Sequence, residues 1–337
     1  MRRLISALLA LRMLLFTAVG TLLPAAVFAP ADASGGETIT LPLGGGSDPW
    51  VVSQDGMYYY CYSVGRGVAV RASETFAGLF DAPGEVVYTP PGGTLYADSY
   101  WAPELHCIGG KWYIYVAADD GRNENHRMYA LVSDSPTGPF AFAGKVAAPT
   151  DCWAIDGTVL TLGEQLYFIW SGWEGATDSG QFLYIAPMDS PTHISGERVR
   201  ISAPEYKWET QGHPINEGPA VLQSEDGVYL LYSASGSWTD DYCIGMLALT
   251  GGDPLDPASW VKCPRPVLSK TDGAYGPGHC SFLRAANGQD YIIYHANLES
   301  GTGWNGRSVR VQPFRRIFGM PVFGKPLPAG SEIHLFK

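Results

Sequence analysis

The sequence predicts an all-β fold, a five-bladed β-propeller, and three observations carry that prediction. The composition is that of many short strands and many turns. Of 337 residues, 19 are Tyr, 13 Phe and 10 Trp, only 16% are charged, and 41 Gly and 25 Pro are spread along the length. One unit recurs five times: a polar residue at a strand edge, a short apolar run, a turn, then an aromatic-rich strand ending in small residues. The repeat is too long for a solenoid unit and suits a four-stranded blade.

The first copy is Asp48-Pro49-Trp50-Val51-Val52, turning at Asp55-Gly56 into Tyr58-Tyr59-Tyr60-Cys61-Tyr62-Ser63. The second is Trp101-Ala102-Pro103-Glu104-Leu105-His106, turning at Gly109-Gly110 into Trp112-Tyr113-Ile114-Tyr115-Val116-Ala117. The third runs from Ile155-Asp156-Gly157-Thr158-Val159-Leu160 through Gly163-Glu164 to Leu166-Tyr167-Phe168-Ile169-Trp170. The fourth is Asn216-Glu217-Gly218-Pro219-Ala220-Val221-Leu222, with Asp226-Gly227 leading to Val228-Tyr229-Leu230-Leu231-Tyr232-Ser233. The fifth begins Gly278-His279-Cys280-Ser281-Phe282-Leu283 and passes Asn287-Gly288 to Tyr291-Ile292-Ile293-Tyr294-His295. Asp-Gly and Asn-Gly pairs between apolar runs are strong hairpin signals. Each motif therefore supplies two inner strands. Weaker segments such as Val68-Ala69-Val70-Arg71-Ala72 and Met128-Tyr129-Ala130-Leu131-Val132 supply outer ones. A β-sandwich, or two separate β domains, are the alternatives.

In a propeller the innermost strands surround one axis, so equivalent positions of the five units converge. Here those positions read Asp48, Glu104, Asp156, Glu217 and His279, at steps of 56, 52, 61 and 62 residues. Acids gathered in a mostly apolar pocket have their pKa values driven apart by burial and mutual repulsion, which leaves one with a proton to donate and another with a charge that accepts. Singly, Asp48 before Pro49 and Asp156 before Gly157 could be turn residues. Glu217 before Gly218-Pro219 is harder to read as a turn, and recurrence in separate repeats gives the set its weight.

The set resembles glycoside hydrolase family 43, propeller enzymes that remove arabinofuranose or xylose from plant polysaccharides. The segments Asp48-Pro49-Trp50-Val51, Trp101-Ala102-Pro103-Glu104, Ala154-Ile155-Asp156-Gly157, Asn216-Glu217-Gly218-Pro219 and Gly276-Pro277-Gly278-His279 match it in order and spacing over about residues 45–315. The resemblance implies that Asp48 is a general base, Glu217 a general acid, and Asp156 the group that orients Glu217 and raises its pKa. It implies inversion, with water attacking from the face opposite the leaving oxygen. It also implies Trp101 as a wall of the sugar pocket and Arg310 as the arginine reaching the terminal sugar, with Arg307 a competitor. His279 is implied on the axis, where it touches the sugar or a calcium ion through water; the chemistry itself requires no cofactor. Glu104 is expected to brace its blade or bond the pocket, and His295 to be structural.

Arg127-Met128-Tyr129, Ser233-Ala234-Ser235 with Tyr242-Cys243-Ile244-Gly245-Met246, and Tyr275-Gly276-Pro277-Gly278-His279 look most like the exo-acting α-L-arabinofuranosidase branch. Terminal arabinose released from α-1,5-arabinan or arabino-oligosaccharides is thus the expected product. A β-xylosidase on xylo-oligosaccharides is the alternative, and a sugar-binding propeller without catalysis is expected to have lost one of the three acids.

Arg2 and Arg3, an apolar run interrupted by Arg12 and continued from Met13 to Ala29, and small residues to Ala33 describe a secretory signal over residues 1–33. A membrane anchor is the rival, but Met13 to Ala29 is short for a span and contains Pro24. Residues 34–337 form the single propeller domain, expected to be secreted and monomeric, with no membrane association after cleavage. The formal net charge of −11 argues against nucleic acid, whose phosphates need a basic face, and suits a neutral plant cell-wall oligosaccharide or polysaccharide. Six widely spaced cysteines without a C-x-x-C pair argue against zinc and permit disulfides, with Cys243–Cys263 the first pairing to test.

Overall fold

The computed structural model describes residues 36–336; the expected signal, residues 1–33, lies outside them. Five antiparallel sheets follow one another along the chain as the five blades of a propeller. Their innermost strands are Trp50–Gln54, Asp98–Ile108, Ala154–Leu162, Asn216–Ser224 and Tyr275–Arg284, the five apolar runs read from the sequence. Each innermost strand touches the next, and the fifth touches the first, so the ring is closed.

The aromatic runs form the second strands, Met57–Val64, Lys111–Asp119, Gln165–Gly172, Gly227–Ala234 and Asp290–Asn297. The apolar runs at their centres have a plain cause: those residues are covered on both faces. Along the fifth, Tyr291 and Ile293 pack toward the first blade with Val51, Tyr60 and Val309, while Ile292 and Tyr294 pack toward the fourth with Leu231 and Met246. Five such apolar clusters, one at each junction between neighbouring blades, take the place of a single central core. The axis is thereby left to polar groups.

Closure uses both ends of the described chain. Gly44–Gly45 pairs with the third strand of the last blade, Arg307–Ile317, and Gly36–Thr40 pairs along its length with Glu332–Phe336. The edges that would otherwise be left unpaired are covered.

The feature that positions the site is a bulge. Pairing slips by one residue between Trp101 and Glu104, Ile155 and Thr158, Glu217 and Ala220, and Gly278 and Ser281. The first residue inside each slip has a positive φ: Ala102 at 43°, Asp156 at 55°, Gly218 at 53° and His279 at 47°. Asp48, with φ 50°, occupies the same place ahead of the first inner strand. A non-glycine residue held there costs about 1–3 kcal/mol, a strain found mostly where a side chain must be re-aimed. The equivalent positions are therefore Asp48, Ala102, Asp156, Gly218 and His279. The expected register is off in two blades, because Glu104 lies two residues beyond the kink and Glu217 one residue before it.

Candidate active site

Asp48, Asp156 and Glu217 stand at the end of the propeller where the inner strands begin. Asp156 Oδ2 accepts a hydrogen bond from the Gly218 backbone N–H at 3.0 Å, and the Tyr242 hydroxyl donates to Glu217 Oε1 at 2.7 Å. Asp156 is buried at 4% exposure and Glu217 at 8%, whereas the Asp48 side chain is 24% exposed. A polar cavity of about 450 Å³, lined by Ser47, Asp48, Tyr60, Tyr62, Arg71 and Pro103 among others, opens beside Asp48 and gives water access to it.

Burial drives the Glu217 carboxyl up to about 7, the nearby Asp48 adds to the rise, and the Tyr242 hydroxyl and Arg307 partly offset it. Burial, then the charges of Glu217 and Asp48, raise Asp156 well above the usual carboxylate range, against the Gly218 N–H. Burial also pushes Asp48 upward, but His279, His295, Arg307 and the Ser47 hydroxyl outweigh it, so its carboxyl sits below the usual range. Of these, Arg307 is the permanent cation. Burial lowers His279 and takes His295 down to about 3, so near neutral pH both rings act as neutral hydrogen-bonding groups. The three carboxyls thus divide into one that holds charge and two that hold protons.

The surroundings of Asp48 differ from the expectation at two residues. Arg307 Nη1 lies 3.7 Å from Asp48 Oδ1. Arg310 is turned away: its guanidinium is wholly buried and donates to the backbone carbonyls of Leu327 at 2.9 Å and Gly273 at 2.6 Å. The two are three apart on one strand, so their side chains point to opposite faces. Arg307 shares the face of Val309 and Val311, which pack toward the first blade. His279 Nδ1 is 3.2 Å from Asp48 Oδ1. His295, expected to be structural only, also reaches the centre: its Nδ1 accepts from the Asp48 backbone N–H at 3.1 Å, leaving its buried Nε2 without a protein partner. Its ring stacks on that of Tyr242 at 5.7 Å. The signal that could have found His295 is its place at the small-residue end of the fifth aromatic strand, level with Gly278.

Trp101 is 41% exposed, and one face lies on His126 with ring centroids 3.9 Å apart. His126 is buried; Nδ1 is 3.0 Å from Asp119 Oδ2 and Nε2 3.2 Å from the Ser99 carbonyl. Trp101 therefore sits on a fixed floor with its other face open. Glu104 is buried against His106 at 2.9 Å, which fits bracing of its blade. Beneath Glu217, Asn216 donates to Glu209 Oε1 at 3.0 Å and accepts from the Ser202 hydroxyl at 2.6 Å. Glu209 is itself held by Tyr232, Lys262 and two backbone N–H groups. Nothing local in Lys207-Trp208-Glu209 announces this buried support, which depends on three segments meeting.

Calcium takes six to eight oxygen ligands. Among the described residues no group of three His, Cys, Asp or Glu side chains is placed to hold a metal ion. The described protein groups at His279 do not make up a calcium site on their own. All six cysteines are free. Cys263 N–H bonds the carbonyl of Met246, three residues along the strand from Cys243 and so about 10 Å away, too far for the expected bridge.

A model of the glycosyl hydrolases family 43 matches residues 40–316. An extracellular exo-α-(1→5)-L-arabinofuranosidase of Streptomyces avermitilis is 38% identical, with 97% of this chain and 70% of that protein covered. One of the same name from Streptomyces chartreusis is 36% identical over 72% of this chain and 76% of its own. Among solved structures, the α-L-arabinofuranosidase from Lactobacillus brevis superposes with a TM-score of 0.81 at 34% identity, covering 87% of this chain and 98% of that one. Among the described residues no helix is long and apolar enough to cross a membrane.

Proposed function

Because the chain belongs to the glycosyl hydrolases of family 43, we propose that it is an exo-acting enzyme releasing terminal α-L-arabinofuranosyl residues from arabinan or arabino-oligosaccharides with inversion. What supports the reading is three neighbouring carboxyls held in unlike surroundings. Glu217 is raised to about 7 and Asp48 is lowered, with Asp156 bonded to the residue after Glu217.

Asp48 is the general base. It takes a proton from water as that oxygen attacks the anomeric carbon, and the bond from that carbon to the leaving oxygen breaks on the opposite face. Glu217 gives its proton to the leaving oxygen. Exchange with solvent then returns Asp48 to carboxylate and Glu217 to acid. Asp156 acts through position: it fixes the backbone at Gly218, next to Glu217, while the charge of Asp48 helps keep the Glu217 proton in place. Arg307 keeps Asp48 ionised and faces the sugar. No cofactor enters these steps. Export through residues 1–33 fits relatives that are named extracellular.

The test compares nitrophenyl α-L-arabinofuranoside, nitrophenyl β-xyloside and arabinotriose, with early product anomers followed by NMR. The reading expects arabinose in the β configuration. Glu217→Gln should lose about 10²–10⁴ of kcat on arabinotriose and less on the nitrophenyl glycoside, whose leaving group needs little protonation. Retention of configuration or xyloside cleavage alone would sink it, as would sugar binding without turnover.

A further inference from the structure

Three tryptophans among the described residues are more than two-fifths exposed, Trp101, Trp238 and Trp304, and all three lie at the catalytic end of the propeller. Trp101 is the one the family resemblance already implies as a pocket wall. Trp238 lies in the loop joining Gly227–Ala234 to Cys243–Leu249, and Trp304 in the loop joining Asp290–Asn297 to Arg307–Ile317. Indoles bury much of their surface in most folded proteins, so a pair left open beside a reaction centre calls for a ligand.

The pair is built, not incidental. The two rings meet edge to face at 81°, with centroids 5.9 Å apart. Trp304 Nε1 donates to the Ser237 hydroxyl at 3.0 Å, which occupies its polar atom within the protein. Asp240 ties the loops together, accepting from the Gly301 N–H at 2.9 Å and from the Ser300 hydroxyl. The Trp238 ring lies so close over Gly236 that a Cβ there would fall 2.7 Å from it. Both loops also reach the acids. The Trp304 carbonyl accepts from Arg307 Nε at 3.5 Å, and the same guanidinium faces Asp48. Tyr242, which closes the other loop, bonds Glu217.

We propose that Trp238 and Trp304 form the leaving-group subsite, an aromatic corner that holds the neutral sugar ring next to the bond being cleaved. The inference rests on the glycosidase reading and adds the substrate's second ring to it. A furanose presents a C–H face that stacks on an indole while its hydroxyls stay in water, so such a site needs no charge, in keeping with a neutral substrate.

The experiment measures kcat/KM of wild type, Trp238→Ala, Trp304→Ala and Trp304→Phe on methyl α-L-arabinofuranoside, arabinobiose and arabinotriose. A methyl aglycone has no sugar ring to stack on the corner. Each alanine variant should lose about tenfold on the two oligosaccharides, the loss expected for one aromatic stacking partner, and stay within about twofold on the methyl glycoside. The phenylalanine variant should recover most of the loss. Equal losses on all three substrates, or none, overturn the proposal. A wild type inactive on all three overturns the glycosidase reading instead. Arabinobiose binding, read from tryptophan emission, then decides the subsite: weaker binding by Trp304→Ala upholds it and unchanged binding overturns it.

Discussion

Glu217 carries a proton near neutral pH because the blades around it exclude water, and a carboxylate there would lose its hydration. The Tyr242 hydroxyl works against this, since a donor to the charged form favours ionisation. The sign for a variant follows. In Tyr242→Phe the charged form loses its donor and the Glu217 pKa rises. The alkaline fall in kcat/KM, set by Glu217 losing its proton near pH 7, should move upward by about one unit. The acid side should stay where the lowered Asp48 puts it. A pH–rate profile reads both limbs, and an alkaline limb that stays or moves down would assign it to another group.

On the element scale, strand alternation and the inner-strand bulge decide which side chains reach the axis. Arg307 and Arg310 lie on one strand and serve different ends. Arg307→Ala removes the cation beside Asp48 and should cost about a hundredfold in kcat/KM while the fold survives. Arg310→Ala strands the carbonyls of Leu327 and Gly273 in the interior and should lower stability by about 2–4 kcal/mol in urea denaturation. If Arg310→Ala instead abolished activity at full stability, the strand would have to face the other way. The bulges matter in the same manner, since they set Asp156 and His279 at positive φ where most side chains are unwelcome, as the turn ahead of the first inner strand does for Asp48.

For the whole molecule the question is what keeps the ring shut, because the acids belong to different blades and their spacing exists only in the closed ring. The final strand, Glu332–Phe336, lies on Gly36–Thr40 and buries Ile333 and Leu335 beside the first and last blades. Deleting residues 332–337 removes those two side chains from the core, a loss of about 3–6 kcal/mol, and lowers the urea midpoint accordingly. Activity should fall along with stability. A truncated chain as stable as the full one would show that the short Gly44–Gly45 pairing suffices to close the propeller.

The five blades and the three acids were legible in the sequence because their signals are local: aromatic runs, Asp-Gly and Asn-Gly turns, and an acid ahead of each of three inner strands. What pairing across strands decides was not legible. Ala102 and Gly218, not Glu104 and Glu217, sit at the bulge, because a kink is fixed by the partner strand and leaves no mark in spacing. The sequence left Arg307 and Arg310 as competitors, and only blade packing chose the strand face that looks on Asp48. His295 and Glu209 gain their roles from segments far away in sequence. The sequence by itself determined the five blades and the order of the acids proposed for the chemistry, since hydrophobic pattern and turn chemistry act over a few residues. The tertiary structure alone decided which of them share a chamber and which keep their protons, because burial and charge act through space.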